Sequence, residues 1–344
     1  MSLTKDFFNR ETSITAKVIA DSISEQGIRL TTFEIEYPRI VMSEFNTHRA
    51  VSKNSSSSRA IPVSKMLEHT KNINLKPVYF GSKKSGMQAG DELLGVELEQ
   101  VTGVWEASLR NAVESSEMLD KLGVAKEVTN RLVEPFQLVK VVCTATDWDN
   151  FFNLRLHPDA DPNICMLAYK MYKAMEESKP ELLRGGEWHL PYIEREREQY
   201  TGELRYFKWN IDTSGTETDG YMYDLTLTLG EAQRISAASC ASVSYRTEGM
   251  TLEKADKIFD MLIKAEVVHS SPFEHIATPI VFKETNEMCN VFEYLDKVEG
   301  VTHVNKQGDL CSGNLRGWIQ YRHLLPNNTA WKFDFSERMK LFNN

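Results

Sequence analysis

The sequence predicts an α+β fold in which strands and helices are mixed without a regular β-α-β alternation. The first observation is a run of β-branched and aromatic residues in rough alternation at 28–37. The second is a series of amphipathic helical stripes at 104–122, 164–175 and 251–268. No GxGxxG or GxxxxGKS/T phosphate loop is present. With 344 residues, the chain can form one large or two ordinary domains.

The first half of the chain supplies one strand and two helices. Pro38 is expected to end the strand or to mark a sheet edge. Gly123 follows the 104–122 stripe and is placed as a helix stop. In the 164–175 stripe, apolar residues share one face, and its methionines are interpreted as core residues.

A compositional change divides the chain. Charged sequence without a sustained apolar period predicts three parts, namely domains at 1–178 and 223–344 joined by a connecting segment at 179–222. Beyond it we expect a helix at 230–240, a helix at 251–268 capped by Thr251, and a short strand at 277–283.

Composition and charge exclude several function classes. The chain is 41% hydrophobic and 26% charged, as is typical of soluble globular proteins, and no apolar run approaches the roughly 18 residues of a membrane span. The opening sequence lacks a secretion signal, so we expect a cytoplasmic protein. The net charge of −9 disfavours bulk binding to nucleic acid but allows a small phosphorylated ligand held by a few arginines. The five cysteines have no CxxC or metal-ligand spacing and are expected to be reduced and mostly buried.

The serine-dense stretch at 46–59 is the first polar cluster. As a loop entering a helix, it would offer hydroxyls, free backbone N–H groups and guanidiniums to a phosphate. The alternative is a solvated turn. The candidate residues are His48, Arg49, Ser52, Asn54, Ser57 and Arg59.

The second cluster consists of Arg131, Asn150 and Arg155 among apolar residues. Arginines in such surroundings are costly unless they are paired or bind a ligand. They can therefore serve a ligand site, or Arg131 can form an internal ion pair with Glu127 or Glu134.

Two further clusters lie in the last third of the chain. The sequence HSSPFEH at 269–275 has no third ligand at metal spacing, so we expect no metal site. It can present His269 and Ser271 to a ligand, or it can be a capping turn. In GNLRGWIQYRH at 313–323, arginines and aromatic rings allow stacking and cation–π contacts, although an ordinary strand-to-helix junction is the alternative.

Taken together, these clusters resemble the flavin-dependent thymidylate synthases, the ThyX family. The sequence THRAVSKNSSSSR at 47–59 is similar to the family pattern RHRxxSxNExSxR, with Thr47 replacing an arginine and Ser55 an acidic residue. AKEVTNRLVEPFQL and DNFFNLRL resemble two later family segments, which brings Arg131, Asn150 and Arg155 into correspondence.

The order of the motifs is rearranged relative to that family. SCASVSYR, HSSPFEH and GNLRGWIQYR resemble segments that come first in the family, yet here they follow the others. Circular permutation is one explanation, and duplication of a half-domain with partial loss of each copy is another. The resemblance implies a ThyX-like fold of mixed helices and antiparallel sheet.

The resemblance also implies an activity, which is the reductive methylation of dUMP. Methylenetetrahydrofolate would supply the carbon and NADPH would reduce FAD, in a homo-oligomer (dimer or tetramer). Arg59, Arg131 and Ser57 would hold the dUMP phosphate, with Ser57 also counted as catalytic. Arg155 would contact the uracil edge as the main catalytic residue. The implied cofactor-binding residues are His48, Arg49, Asn54, Asn150, Ser244, His269 and Ser271.

Two alternatives stay open. On the same scaffold, water or another nucleophile could capture the methylene intermediate, which would give a hydroxymethylated pyrimidine nucleotide. The loss of charge at Thr47 and Ser55 could instead mark a non-catalytic nucleotide-binding or assembly protein.

Overall fold

A computed structural model describes residues 5–212, 221–243, 250–265, 267–281, 298–330, 332–340 and 342. Its helices and strands are mixed, and antiparallel pairing dominates the sheets, which confirms the predicted α+β class. No helix in these ranges is both long and apolar enough to cross a membrane.

The first half is organised around a five-stranded sheet with the strand order β3-β4-β2-β1-β5. All neighbouring strands are antiparallel except β1 and β5. The strands are β1 (Thr15–Ser24), β2 (Arg29–Pro38), β3 (Ser52–Ser55), β4 (Leu138–Ala145) and β5 (Glu181–Leu183). The strand expected at 28–37 is therefore confirmed as β2, and it ends at Pro38 as predicted.

The helices of the first half are α1 (Lys5–Phe8), α2 (Met42–Asn46), α3 (Val63–Ile73), α4 (Gly95–Lys121), α5 (Lys126–Thr129), α6 (Asp149–Arg155) and α7 (Pro162–Glu177). Helix α7 packs on the five-stranded sheet, whereas α3, α4 and α5 pack on one another and on the turns between β3 and β4, which gives two apolar clusters. Helix α7 confirms the stripe predicted at 164–175. It begins where the Asp161 side chain accepts a hydrogen bond from the backbone N–H of Asn163.

Helix α4 begins well before the predicted position at 104. It ends as expected, since Gly123 follows it with a φ of +78°, a conformation that favours glycine. Its apolar residues are not all buried, because Leu109 is 5% exposed whereas Val104 is 69% and Met118 65% exposed. The spacing therefore indicated the helix correctly but did not indicate which apolar residues the fold covers.

The second half, taken here as the chain after β5 (184–344), contains in its described residues a three-stranded antiparallel sheet packed with helices. Its elements are β6 (Glu194–Arg197), β7 (Leu204–Asp212), β8 (Tyr221–Leu227), α8 (Leu229–Ala241) and α9 (Leu252–Ile263). Thr251 caps α9 as predicted by accepting a hydrogen bond from the backbone N–H of Lys254, but the helix ends before 268. The charged segment at 179–222 contains β5, β6, β7 and the first two residues of β8.

Short strands complete this half, as one two-stranded and one three-stranded sheet. They are β9 (Ala277–Pro279), β10 (His303–Val304), β11 (Leu310–Ser312), β12 (Leu315–Arg316) and β13 (Trp318–Gln320), followed by helix α10 (Phe335–Lys340). The strand expected at 277–283 is confirmed for its first residues, and the positions from 282 onward lie outside the described ranges.

Buried polar side chains join the second half to the sheet of the first. The Nδ1 atom of His275 lies 2.8 Å from Thr144 Oγ1, which lies 2.7 Å from Thr32 Oγ1. Thr32 Oγ1 in turn lies 2.8 Å from His189 Nε2. Because both histidines are fully buried, burial lowers both pKa values, that of His275 to about 3. The buried part of this contact is therefore made by neutral hydrogen-bonded groups.

Candidate functional site

A cavity of about 340 Å³ opens where the loop entering β3 meets the loop leaving β4. The two loops are adjacent because β3 and β4 are antiparallel, with Ser52 paired to Thr144. The cavity is lined by Thr47, His48, Arg49, Ala50, Val51, Asp147, Asn150, Phe151 and Leu154. The first and second predicted clusters thus meet here through His48, Arg49 and Asn150.

His48 is the most buried polar residue of this cavity, at 6% exposure. Its Nε2 atom accepts a hydrogen bond of 2.8 Å from Nε of Arg155, and its ring meets the Phe151 ring edge-on with centroids 5.0 Å apart. Burial, followed by the positive charges of Arg155 and Lys53, lowers the pKa of His48 from 6.5 to about 4. The imidazole is therefore neutral at pH 7.

Arg155 ties together the loop that carries His48. Besides its bond to His48, its guanidinium donates to Thr47 Oγ1 at 3.0 Å and to the Glu44 carbonyl at 3.3 Å. The threonine that replaces an arginine of the family pattern is therefore an acceptor for Arg155. Arg155 is the last residue of α6, so its guanidinium attaches the loop that carries His48 to this helix.

The second half of the same chain also supports this loop. Asn314 donates from Nδ2 to the Ala50 carbonyl at 2.8 Å, and its Oδ1 accepts from Ser52 Oγ at 3.0 Å. On the first-half side, the Lys53 ammonium donates to the His48 carbonyl and, at 3.2 Å, to that of Val51. Carbonyls along the loop are thus held from both halves, which fixes its backbone.

Donor groups at the cavity are open to a ligand. Arg49 and Asn150 are exposed, and neither side chain makes a hydrogen bond or ion pair within the described part of the chain. Asp147 is paired at the rim with Arg316 of β12, at 3.0 Å. The cavity therefore offers hydrogen-bond donors, and its carboxylate is already partnered.

The arginines predicted to hold a phosphate lie on turns away from the cavity. Arg59 is exposed on a 3₁₀ turn, Ser58–Ala60, which contacts the turn Asn130–Phe136 that carries Arg131. Arg131 donates to the Glu127 carbonyl at 3.1 Å and lies 4.0 Å from the Glu134 carboxylate, with its side chain 61% exposed. The ion pair between Arg131 and Glu134 is thus a loose one. Although apolar residues flank Arg131 in the sequence, its side chain is not buried.

The structure brings the predicted site residues together as two groups. Ser57, Arg59 and Arg131 lie where β3 ends and β4 begins, whereas the cavity lies where β3 begins and β4 ends. Strand β4 has 8 residues and is therefore about 23 Å long. Within one chain, the arginines at 59 and 131 do not meet Arg155.

Other predicted residues have different surroundings. Asn54 donates from Nδ2 to the Cys240 carbonyl at 3.2 Å, so its amide links the two halves. His269 and Ser271 are exposed beside the turn Ser271–His275, which contacts β3. Ser244 lies outside the described residues.

The cysteines are free and buried wherever the structure describes them, at 143, 165, 240 and 311. Burial raises the pKa of the Cys143 thiol and raises that of Cys165 to about 11. Cys289 lies outside the described residues. Within the described part of the chain, no group of His, Cys, Asp and Glu is arranged to hold a metal ion.

Several residues of the site were not singled out from the sequence. The sequence shows Thr47 only as the loss of a charge, and none of its patterns marks Lys53, Asp147 or Asn314 as a site residue. Asn314 does lie within the recognised GNLRGWIQYR motif. No local pattern in the sequence indicates that this motif packs on a loop more than 260 positions away.

Comparisons with known proteins bear on the first half. Residues 28–181 match the family model Thy1, described as thymidylate synthase complementing protein, which confirms the resemblance over that segment. A comparison with curated proteins gave no match.

Among solved structures, a UMP/dUMP methylase PolB from Streptomyces cacaoi bound with 5-Br UMP is 16% identical, with 48% of this chain and 90% of that chain covered and a TM-score of 0.39. The same enzyme bound with 5-Br dUMP is 15% identical, with coverages of 48% and 92% and a TM-score of 0.38.

Proposed function

Since residues 28–181 match the family model of the thymidylate synthase complementing protein, we propose that the chain is a flavin-dependent thymidylate synthase. It would convert dUMP to dTMP in the cytoplasm, with methylenetetrahydrofolate as carbon donor and NADPH as the reductant of FAD. One observation carries the proposal. The matched segment contains both walls of the cavity, where neutral His48 and Arg155 are hydrogen-bonded to each other.

The residues of the cavity fit a flavin. The exposed Arg49 guanidinium and the Asn150 amide are donors without partners in the described chain, and the flavin ring and its phosphates are rich in acceptor oxygens. His48, Arg49 and Asn150 would hold it, with His269 and Ser271 as further candidates. A bound flavin supplies hydride transfer.

The exposed arginines at 59 and 131 would bind the nucleotide phosphate, with the Ser57 hydroxyl, through charge-assisted hydrogen bonds. Because they lie about one length of β4 from the cavity, roughly 23 Å, the arginines of one copy and the cavity of another would share a nucleotide. The proposal therefore includes a homo-oligomer, either a dimer or a tetramer.

Arg155 would stabilise negative charge that develops on the pyrimidine ring as its carbon 5 becomes nucleophilic. Its Nη1 makes no hydrogen bond within the described residues, so one edge of the guanidinium is available while Nε and Nη2 hold the loop. A cysteine nucleophile is not required, and the buried thiols at 143 and 165 are poor thiolates.

The absorption spectrum of the purified full-length chain tests this proposal. FAD is added first and dUMP is then titrated into the complex. We expect a flavin spectrum that dUMP perturbs, because both ligands would occupy one site. Binding of dUMP without any binding of FAD would contradict the proposal and favour a non-catalytic nucleotide-binding protein. Product mass then separates methylation from hydroxymethylation.

A further inference from the structure

The contact between Arg155 and His48 determines which ring nitrogen of His48 carries its proton. A guanidinium has only donors and stays protonated. The 2.8 Å contact from Arg155 Nε to His48 Nε2 therefore requires a lone pair on Nε2. Because the imidazole is neutral, its single proton is on Nδ1.

We propose that Arg155 is a positioning residue that locks His48 as the Nδ1–H tautomer, so that His48 donates a hydrogen bond to an acceptor oxygen of the ligand in the cavity. The role of Arg155 in orienting His48 is separate from its proposed contact with the pyrimidine. The identity of the ligand rests on the proposed function, whereas the tautomer does not.

The surroundings hold both partners in this geometry. Nη2 of Arg155 is anchored on Thr47 Oγ1 and the Glu44 carbonyl, so Nε cannot easily turn away. The Phe151 ring packs edge-on against the imidazole, and Lys53 holds the carbonyl of His48. Positioning by several independent contacts is what a precise donor requires.

The Nδ1 atom of His48, a residue that lines the cavity, is not fully buried. It makes no hydrogen bond within the described part of the chain, and it is not one of the fully buried side-chain atoms that lack a partner. A ligand can therefore reach it. His48 lines the cavity together with Arg49 and Asn150, whereas Arg155 contacts the opposite edge of the ring. A donor at Nδ1 therefore completes a set of donors that matches a carbonyl or phosphate oxygen.

Nitrogen NMR of the ligand-free, ¹⁵N-labelled full-length chain tests the tautomer directly. Long-range ¹H–¹⁵N correlations distinguish protonated from unprotonated ring nitrogens, and His48→Gln identifies the His48 signals. We expect Nδ1 in the protonated range and Nε2 in the unprotonated range at pH 7. The opposite pattern would overturn the proposal whether or not the chain binds a flavin.

Two variants separate positioning by Arg155 from general packing. Arg155→Met removes the donor while keeping an unbranched side chain, and we expect His48 to shift toward the Nε2–H form that free imidazole side chains favour. Thr47→Val is the matched control, because it removes the other side-chain contact of Arg155 and leaves the bond to His48. An unchanged tautomer in Arg155→Met, with a folded chain, would contradict the role of Arg155.

A pair of substitutions tests donation to the ligand, with FAD as the probe. His48→Asn keeps a donor near the Nδ1 position, whereas His48→Gln keeps an acceptor near Nε2 but lacks that donor. We expect His48→Gln to weaken FAD binding about tenfold more than His48→Asn does. Equal losses would overturn the donor role. If the wild type does not bind FAD, the proposed function and the donor role both fail, and the tautomer is still decided by NMR.

Discussion

The two ends of β3 carry candidate binding residues of very different construction. At the start of the strand, His48 and Arg155 are partly or fully buried, bonded to each other and fixed by groups from both halves. Beyond its end, Arg59 and Arg131 are exposed, and only Arg131 has a loose ion pair. The contacts of the first region fix the orientation of its side chains, whereas the exposed arginines of the second region attract a negatively charged ligand. Acid should therefore disrupt the structure of the first region, and salt should weaken ligand binding at the second.

Arg155→Ala should have the largest effect on catalysis. Removal of a guanidinium that orients His48 and faces the developing charge should lower turnover about a thousandfold at saturating FAD. Flavin should still bind, as its absorption spectrum will show. Arg205→Ala changes an exposed arginine on β7 and serves as the control. Turnover close to that of the wild type would exclude the proposed role of Arg155.

Acid should destabilise the contact between the halves and the loop of the cavity. The pKa of His275 is lowered from 6.5 to about 3 and that of His48 to about 4, so the unfolded chain binds protons that the folded chain does not. Stability should thus be complete above pH 6.5 and fall as the pH drops toward those values, by on the order of 4 kcal/mol for fully buried His275.

Urea unfolding between pH 4.5 and 7.5 (roughly the window in which unfolded histidines titrate) measures this dependence. His275→Phe should reduce the slope of stability against pH. His157→Gln is the control, because that histidine side chain is 53% exposed. An unchanged slope in His275→Phe would show that this buried group does not control the acid response.

Loss of both exposed arginines should weaken nucleotide binding without affecting the cavity. Arg59→Ala combined with Arg131→Ala should lower dUMP affinity about thirtyfold and reduce its salt dependence, while FAD affinity stays within about twofold. Isothermal titration at two salt concentrations tests this expectation. A comparable loss of FAD affinity would mean that the two regions are not separate.

Asn314→Ala tests whether the second half supports the loop. The substitution leaves the Ala50 carbonyl and the Ser52 hydroxyl without their partner, so we expect stability to fall by about 1 kcal/mol and turnover by roughly fivefold. Gln307→Ala, at an exposed position of the same half, is the control. Full activity with lowered stability would limit Asn314 to a structural role.

Cys165→Ala should have the smallest effect, since Cys165 lies on α7 with a buried thiol of raised pKa. Turnover within about twofold of the wild type is expected, because the proposed reaction needs no thiolate. A loss comparable to that of Arg155→Ala would point to a cysteine-dependent reaction.

Local patterns in the sequence predicted local structure well. Strand β2 follows from alternating β-branched and aromatic residues, and Thr251 marks the start of α9, because strand pattern and helix caps depend on near neighbours. The strands within 179–222 were not predicted. β6 has no apolar period, since its residues Glu194–Arg197 are all charged.

Long-range contacts could not be predicted in this way. His48 and Arg155 are 107 positions apart, and family resemblance indicated both residues but not the bond between them. The resemblance also grouped Arg59 and Arg131 with Arg155 on one ligand, whereas their separation follows from the direction of β4 in the sheet. Residues 47 and 314 acquire their roles only when the two halves pack together.

The mass of the nucleotide product tests the central claim most directly. The full-length chain is incubated with dUMP, FAD, NADPH and methylenetetrahydrofolate, and the nucleotide is analysed by mass spectrometry. The account predicts replacement of the hydrogen at carbon 5 by a methyl group, and therefore a gain of one CH₂ unit. A gain of one CH₂O unit would identify a hydroxymethylase, and unchanged dUMP in the presence of bound flavin would contradict the proposed synthase.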